Sequence, residues 1–159
     1  MGTLVFIRTD THVLLIDKKT GHGAGLVNGP GGKIEFGETL LACAARETQE
    51  EIGVRPLDLS CQVEMRFVER NGDQWLGFGF LATEFSGELK ETEEARPFWC
   101  AIEHIPYDNM WADDAIWLPP LLAAEGSDRP LVGNFLFDDG ELLEYEFVDE
   151  PSVWRSVVG

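Results

Sequence analysis

The chain has 159 residues, 44% apolar and 26% charged, with a formal net charge of −17. That length and apolar share suit one compact domain, residues 1–159, with a buried core. Only 12 Lys and Arg stand against 29 Asp and Glu, and the basic residues form no run, which argues against long nucleic acid or an anionic membrane surface as partner.

The apolar run near the start, in "MGTLVFIRTD", ends at Arg8 and Asp10. It is too short for a signal-peptide core, and no other stretch is long enough to span a bilayer. The expected setting is the cytoplasm and the expected state a monomer. Residues 3–8 and 12–18, separated by a short polar turn, read as a β-hairpin. The glycine-rich stretch 19–33, "KTGHGAGLVNGPGGK", reads as a loop whose backbone can come close to a ligand.

Residues 39–52 read as a helix with Leu41, Ala45, Thr48 and Ile52 on its apolar face and Gly53 placed to end it. Residues 59–70 and 73–85 read as strands joined by "NG", a strong hairpin signal. A strand at 96–102 follows, then a helical stretch at about 113–124 that Pro119 and Pro120 are placed to kink or split. Residues 131–137 and 142–148 flank "DDG" as a last hairpin. The order of elements predicts an α+β fold, a mixed sheet packed between helices. Cys43, Cys61 and Cys100 are sparse, odd in number and without zinc-ligand spacing, so they read as free thiols. His12 and His104 read as surface or strand-end residues, and no Ser-His-Asp or Cys-His arrangement is visible.

Chemistry concentrates in residues 32–54. At about 100° per residue Glu47, Glu50 and Glu51 project from one side of the helix. Three carboxylates so close repel one another, and a divalent cation would relieve that. All-oxygen donors favour a hard ion, Mg²⁺ first and Mn²⁺ next. The apolar face would dock on the core and present the acids outward, and the small Cys43 and Ala44 beside them would leave room for a phosphate chain. Arg46 is expected to orient a neighbouring glutamate, with Glu38 a candidate partner. Lys33 is a candidate phosphate contact and His22, in the glycine-rich loop, a candidate substrate contact. The general base stays open between Glu50 and Glu51.

The skeleton Gly32, Glu38, Arg46-Glu47, Glu50-Glu51, Gly53-Val54 resembles the signature of the Nudix hydrolases, departing from it at Thr48 in place of an aliphatic residue. The resemblance implies an α/β/α sandwich and Mg²⁺-dependent hydrolysis of a nucleoside diphosphate linked to another group. The stretches "GHGAGLVNGPGGK", "EEARPFW" and "IPYDNMWADDAIWLP" further resemble animal members of the family that act on oxidised purine nucleoside triphosphates, in similar order over most of residues 3–148. That resemblance implies Gly32, Glu47, Glu50, Glu51 and Glu94 as metal-site positions, with Glu94 a further candidate for the general base, and Asn28, Trp111, Asp113 and Asp114 as the lining of a base pocket. His22, Leu26, Val27 and Pro30 differ from those members.

Two readings of Asp113-Asp114 stay open. Adjacent carboxyls in one pocket hold a proton between them readily, so one could accept from a purine edge while the other donates to it. The alternative makes Asp113 a helix N-cap, Asp114 a partner of the helix dipole, and Trp111 and Trp117 core residues. The expected activity is hydrolysis of a small-molecule nucleotide such as 8-oxo-dGTP to the monophosphate and pyrophosphate. The alternatives are another nucleotide, either an ordinary triphosphate or a nucleoside diphosphate sugar, and a non-catalytic nucleotide-binding module.

Overall fold

The computed structural model describes residues 1–124 and 129–158; residues 125–128 and 159 lie outside it. The chain runs β1 (Gly2–Ile7), β2 (His12–Lys18), β3 (Val27–Asn28), β4 (Gly31–Lys33), α1 (Leu40–Ile52), β5 (Val54–Pro56), β6 (Ser60–Glu69), β7 (Gln74–Ala82), β8 (Phe85–Gly87), β9 (Ala95–Ala101), α2 (Asp114–Leu122), β10 (Leu131–Asp138), β11 (Glu141–Val148) and α3 (Trp154–Val158). None of the described helices is long and apolar enough to cross a membrane.

The main sheet has six strands in the order β11-β10-β6-β7-β1-β4, with β1–β7 and β10–β6 parallel. Strand side chains alternate between faces, and here both faces are apolar. Val5, Ile7, Phe78 and Phe80 pack with Leu40, Ala44 and Ile52 of α1. Phe6, Val63, Met65 and Phe135 pack with Trp117, Leu118 and Leu121 of α2. The result is the expected helix–mixed sheet–helix sandwich. The remaining strands form a sheet in the order β3-β2-β9 and the pair β5-β8.

Several expectations need correction. β1 and β2 do not form a hairpin. Each buries both faces, Phe6 against Val5 and Ile7 in one case and Val13 and Leu15 against Leu14 and Ile16 in the other. Each therefore takes partners in its own sheet, and they meet at the turn through a bridge between Arg8 and Val13 and through bonds between Thr9 and His12, among them the Thr9 N–H to His12 carbonyl bond of 2.8 Å. β7 stops at Ala82 because the Asp58 carboxylate accepts the N–H groups of Thr83 and Glu84, each at 2.9 Å, and turns the chain towards β8. α2 runs unbroken through Pro119 and Pro120, ending at Leu122 within one turn of them. The β6–β7 and β10–β11 hairpins form as read, with positive φ at Gly72 (101°), Asp139 (49°) and Gly140 (80°) in the turns.

The C-terminal tail is tied down by a group that its own residues do not announce. Glu64, fully buried on β6, accepts from the Val153 N–H at 2.7 Å, the Ser152 hydroxyl at 3.0 Å and Arg66 Nε at 2.9 Å. Arg66 reaches on to Glu150. Trp154 then meets Phe80 edge-on at 6.0 Å, and α3 touches α1. Glu64→Ala strands all three donors, so it should lower the unfolding free energy by about 3 kcal/mol. Urea denaturation checks this; a loss well under about 1 kcal/mol would show the clasp to be incidental.

Candidate active site

Capping places α1. Thr39 accepts the Ala42 N–H at 3.1 Å, and Gly53, at φ 80°, donates its N–H to Gln49. The buried face is Leu40, Cys43, Ala44, Thr48, Glu51 and Ile52. Leu41 and Ala45, expected on the apolar face, are only half-buried. Thr48 satisfies its hydroxyl on the Ala44 carbonyl at 2.7 Å, which lets it replace an aliphatic residue. Cys43 lies under the glycine strand, its sulfur 3.5 Å from Thr3 Oγ1 and 3.7 Å from the Gly32 carbonyl, so it packs the interior and does not open a path for phosphate.

The acids do not all face outward. Their side chains grade from interior to solvent: Glu51 is 1% exposed, Glu47 16% and Glu50 53%. Arg46 is the hub. Its Nε and Nη2 donate to the two Glu38 oxygens at 2.6 and 2.9 Å, its Nη1 to Glu47 at 2.8 Å and Glu50 at 3.3 Å, and its Nη2 to the Lys33 carbonyl at 3.2 Å. Bonding to Arg46 holds Glu38 at a pKa of about 2. Burial pushes Glu47 up, against the pull of Arg46.

Glu51 is the most strained of these groups electrostatically. Its Oε1 accepts from the Gly31 N–H at 3.4 Å and lies 3.5 Å from Lys18 Nζ, while its buried Oε2 has no partner. Burial pushes its pKa up to about 7 despite Lys18 and Gly31, and the charges of Glu47 and Glu94 push the same way. Glu94 stands exposed in the loop before β9, positioned by the Lys19 N–H to Glu94 carbonyl bond of 2.8 Å. Gly32 is required by contact: a Cβ there would lie 2.4–2.6 Å from the Glu47 carboxylate.

Among the described residues no three His, Cys, Asp or Glu side chains converge into a closed metal cage. The chemistry of the donors nevertheless fits a hard divalent ion. They are all oxygens, mutually repulsive, and one buried oxygen lacks any partner.

The candidate base site lines a cavity of about 720 Å³ that continues to Gly31 and Gly32. Asp113 does not cap α2 with its side chain; its Oδ2 accepts from Trp117 Nε1 at 2.7 Å. Asp114 Oδ2 accepts the Trp111 N–H at 3.1 Å. Both are buried, at 6% and 1% exposure, and both line the cavity. Burial raises both pKa values, and burial together with the Asp113 charge pushes Asp114 up to about 8. Trp117 is core, edge-on to Phe6 at 5.7 Å. Trp111 is a half-buried cavity wall on which His22 stacks, centroids 4.9 Å apart and planes 16° from parallel. Asn28 also lines the cavity, its Oδ1 accepting the Gly29 N–H at 2.8 Å. Lys33 is turned away from the acids, its ammonium 5.9 Å over the Trp75 ring.

Two cavity residues escape a reading of the sequence. Lys18 ends an apolar strand, where lysine is ordinary, and Trp75 reads as one more β-forming residue. Only the pairing of strands brings them to the cavity.

A family model described as the NUDIX domain matches residues 1–121. The chain is 36% identical over 150 residues to the oxidized purine nucleoside triphosphate hydrolase of Danio rerio, covering 93% of each. It is 35% identical over 152 residues to that of Mus musculus, covering 94% of this chain and 95% of the other. The fold superposes on the MutT protein from Bacillus halodurans with a TM-score of 0.78 at 31% identity, over 94% of this chain and 98% of that one.

The buried acids set the sign of a pH effect. Asp114 titrates at about 8 when folded, against an ordinary 3.8, and Glu51 at about 7 against 4.5. Between these values the folded chain keeps protons that the unfolded chain has released. The share of stability that these two groups carry is therefore fullest below their ordinary values and declines as pH rises through about 8, by up to about 1.4 kcal/mol per unit for each group. Metal-free protein should lose melting temperature from pH 5 to 8, and Asp114→Asn should flatten part of that slope. An identical slope in the variant would mean that Asp114 holds no proton at neutral pH.

Proposed function

Because the chain belongs to the Nudix hydrolase family, we propose that it is a pyrophosphohydrolase of oxidised purine nucleoside triphosphates such as 8-oxo-dGTP, releasing the monophosphate and pyrophosphate and working as a monomer. The observation that carries this reading is the pair of buried carboxyls, Asp113 and Asp114, on the wall of a cavity that reaches Gly32, the residue lying against the Glu47 carboxylate. Relatives of similar length named for that substrate support it.

Members of the family generally need a divalent metal, and Mg²⁺, with Mn²⁺ next, suits an oxygen-only set. Glu47, Glu50, Glu51, the Gly32 carbonyl and Glu94 are the groups that would hold it. When bound, such an ion offsets phosphate charge and acidifies a bound water. The protein's own residues do the rest. Arg46, locked on Glu38, fixes Glu47. Lys18 offsets the Glu51 charge at Oε1 and leaves Oε2 as the buried oxygen able to take a proton near neutral pH.

A guanine-type edge offers an acceptor oxygen beside two donors. One ionised aspartate accepts from the donors and the other, protonated, donates to the oxygen; exchanging those roles fits an adenine-type edge. Trp111 supplies an aromatic surface, one face of which His22 covers. A second reading, an ordinary nucleoside triphosphate or a nucleoside diphosphate sugar as substrate, is favoured by the same ring: the loop places a polar imidazole on Trp111.

A Mg²⁺ assay over 8-oxo-dGTP, 2-hydroxy-dATP, dGTP, CTP and sugar nucleotides separates these readings. The oxidised purines should lead in kcat/KM by about tenfold. Equal or better turnover of a sugar nucleotide would transfer the assignment. Glu51→Gln should lower kcat by about 10²–10³-fold with unchanged circular dichroism, and near-normal turnover would remove Glu51 from the chemistry. Asp113→Asn and Asp114→Asn should each depress kcat/KM on 8-oxo-dGTP; no change in either would exclude base reading by this pair.

A further inference from the structure

The floor of the cavity is the α2 face of the main sheet, and its shape follows from strand register. Under α2 lies Gly79, where a Cβ would stand 2.7 Å from Leu121. Two residues along β7, on the same face, comes Gly77, and two further comes Trp75. Gly2 pairs with Gly77, and Lys33 pairs with Gly2. A Cβ at Gly2 would stand 2.8 Å from Cζ2 of Trp75, and one at Gly77 3.6 Å from its Nε1. Glycine weakens a strand, yet here the absence of a side chain at Gly2 leaves room for the indole. That indole is 40% exposed, lines the cavity and carries the Lys33 ammonium over its ring. A large ring left in solvent at the rim of a cavity is a surface for another ring.

We propose that Trp75 contacts the substrate at the end of the cavity away from the aspartates, and that it favours purines by reach. Four residues of strand, about 13 Å, separate Trp75 from the floor beneath α2. A base held by its pairing edge at Asp113 and Asp114 extends out along that floor. The second ring of a purine carries stacking area further from the acid wall than a pyrimidine does. Lys33 adds a positive charge at the same rim, next to Gly32. The inference rests on the proposed orientation of the base in this cavity.

The test is steady-state kinetics of wild type, Trp75→Ala and Trp75→Phe with 8-oxo-dGTP, dGTP and dCTP in Mg²⁺, with melting temperatures as a check on folding. Trp75→Ala should raise KM for both purines by about tenfold while kcat and the KM for dCTP stay within about twofold, and Trp75→Phe should recover most of the loss. An unchanged purine KM, or an equal loss on purine and pyrimidine, overturns the proposal. The wild-type assay alone decides the proposed function. If another nucleotide proves to be the substrate, an unchanged KM for it in Trp75→Ala overturns the role of Trp75 independently.

Discussion

The site depends on how closely two pieces of backbone approach. Gly31 pairs with Leu4 so tightly that a Cβ on it would stand 1.9 Å from the Thr3 carbonyl, and Gly32 lies against the Glu47 carboxylate. With no side chains at these two positions, β4 pairs closely along β1 at the edge of the main sheet and α1 packs against it. The Gly31 N–H then reaches Glu51 and the Lys33 carbonyl reaches Arg46. A side chain at position 31 would push β4 away from β1, and one at position 32 would displace the Glu47 carboxylate. The burial of Glu51 raises its pKa, and the Gly31 N–H at its Oε1 pulls the other way.

A strongly acidic chain has to bind a polyanion, and the structure distributes its charges accordingly. Near the α1 acids the field is held in check by Arg46, shared among four carboxylates, and by Lys18. Along the cavity Asp113 and Asp114 are buried, which raises both pKa values and carries Asp114 up to about 8. The two clusters thus solve one problem in different ways, the first with counter-charges and the second with a retained proton.

The sequence was most legible where spacing alone carries the chemistry. The fixed offsets from Gly32 to Gly53 identify a helix with acids on it, and alternating apolar stretches identify most strands. It was less legible wherever a residue's role depends on a distant partner. The polar turn at residues 8–12 reads as a hairpin because turn chemistry is local, while the burial of both faces that parts β1 from β2 is not. The helix face was misjudged because a buried glutamate cannot be told from an exposed one by periodicity. Lys18, Trp75 and Glu64 acquire their roles from residues tens of positions away, and the side chain of Asp113, which looks like a cap, is diverted to Trp117.

The parallel pairing of β1 with β7 has a consequence for how the molecule comes into being. Leu4 waits for Gly79, and Val63 waits for Leu131. Pairings of such long range close slowly, because large loops must be ordered before any ladder rewards them. The acid-bearing helix is made early in synthesis, but the sheet that supports it is not complete until much later. Until then its apolar face and the open edges of β1 are exposed to other chains. The interval between making the helix and closing the sheet is thus when this protein is most prone to aggregate, and a chaperone would be most useful there.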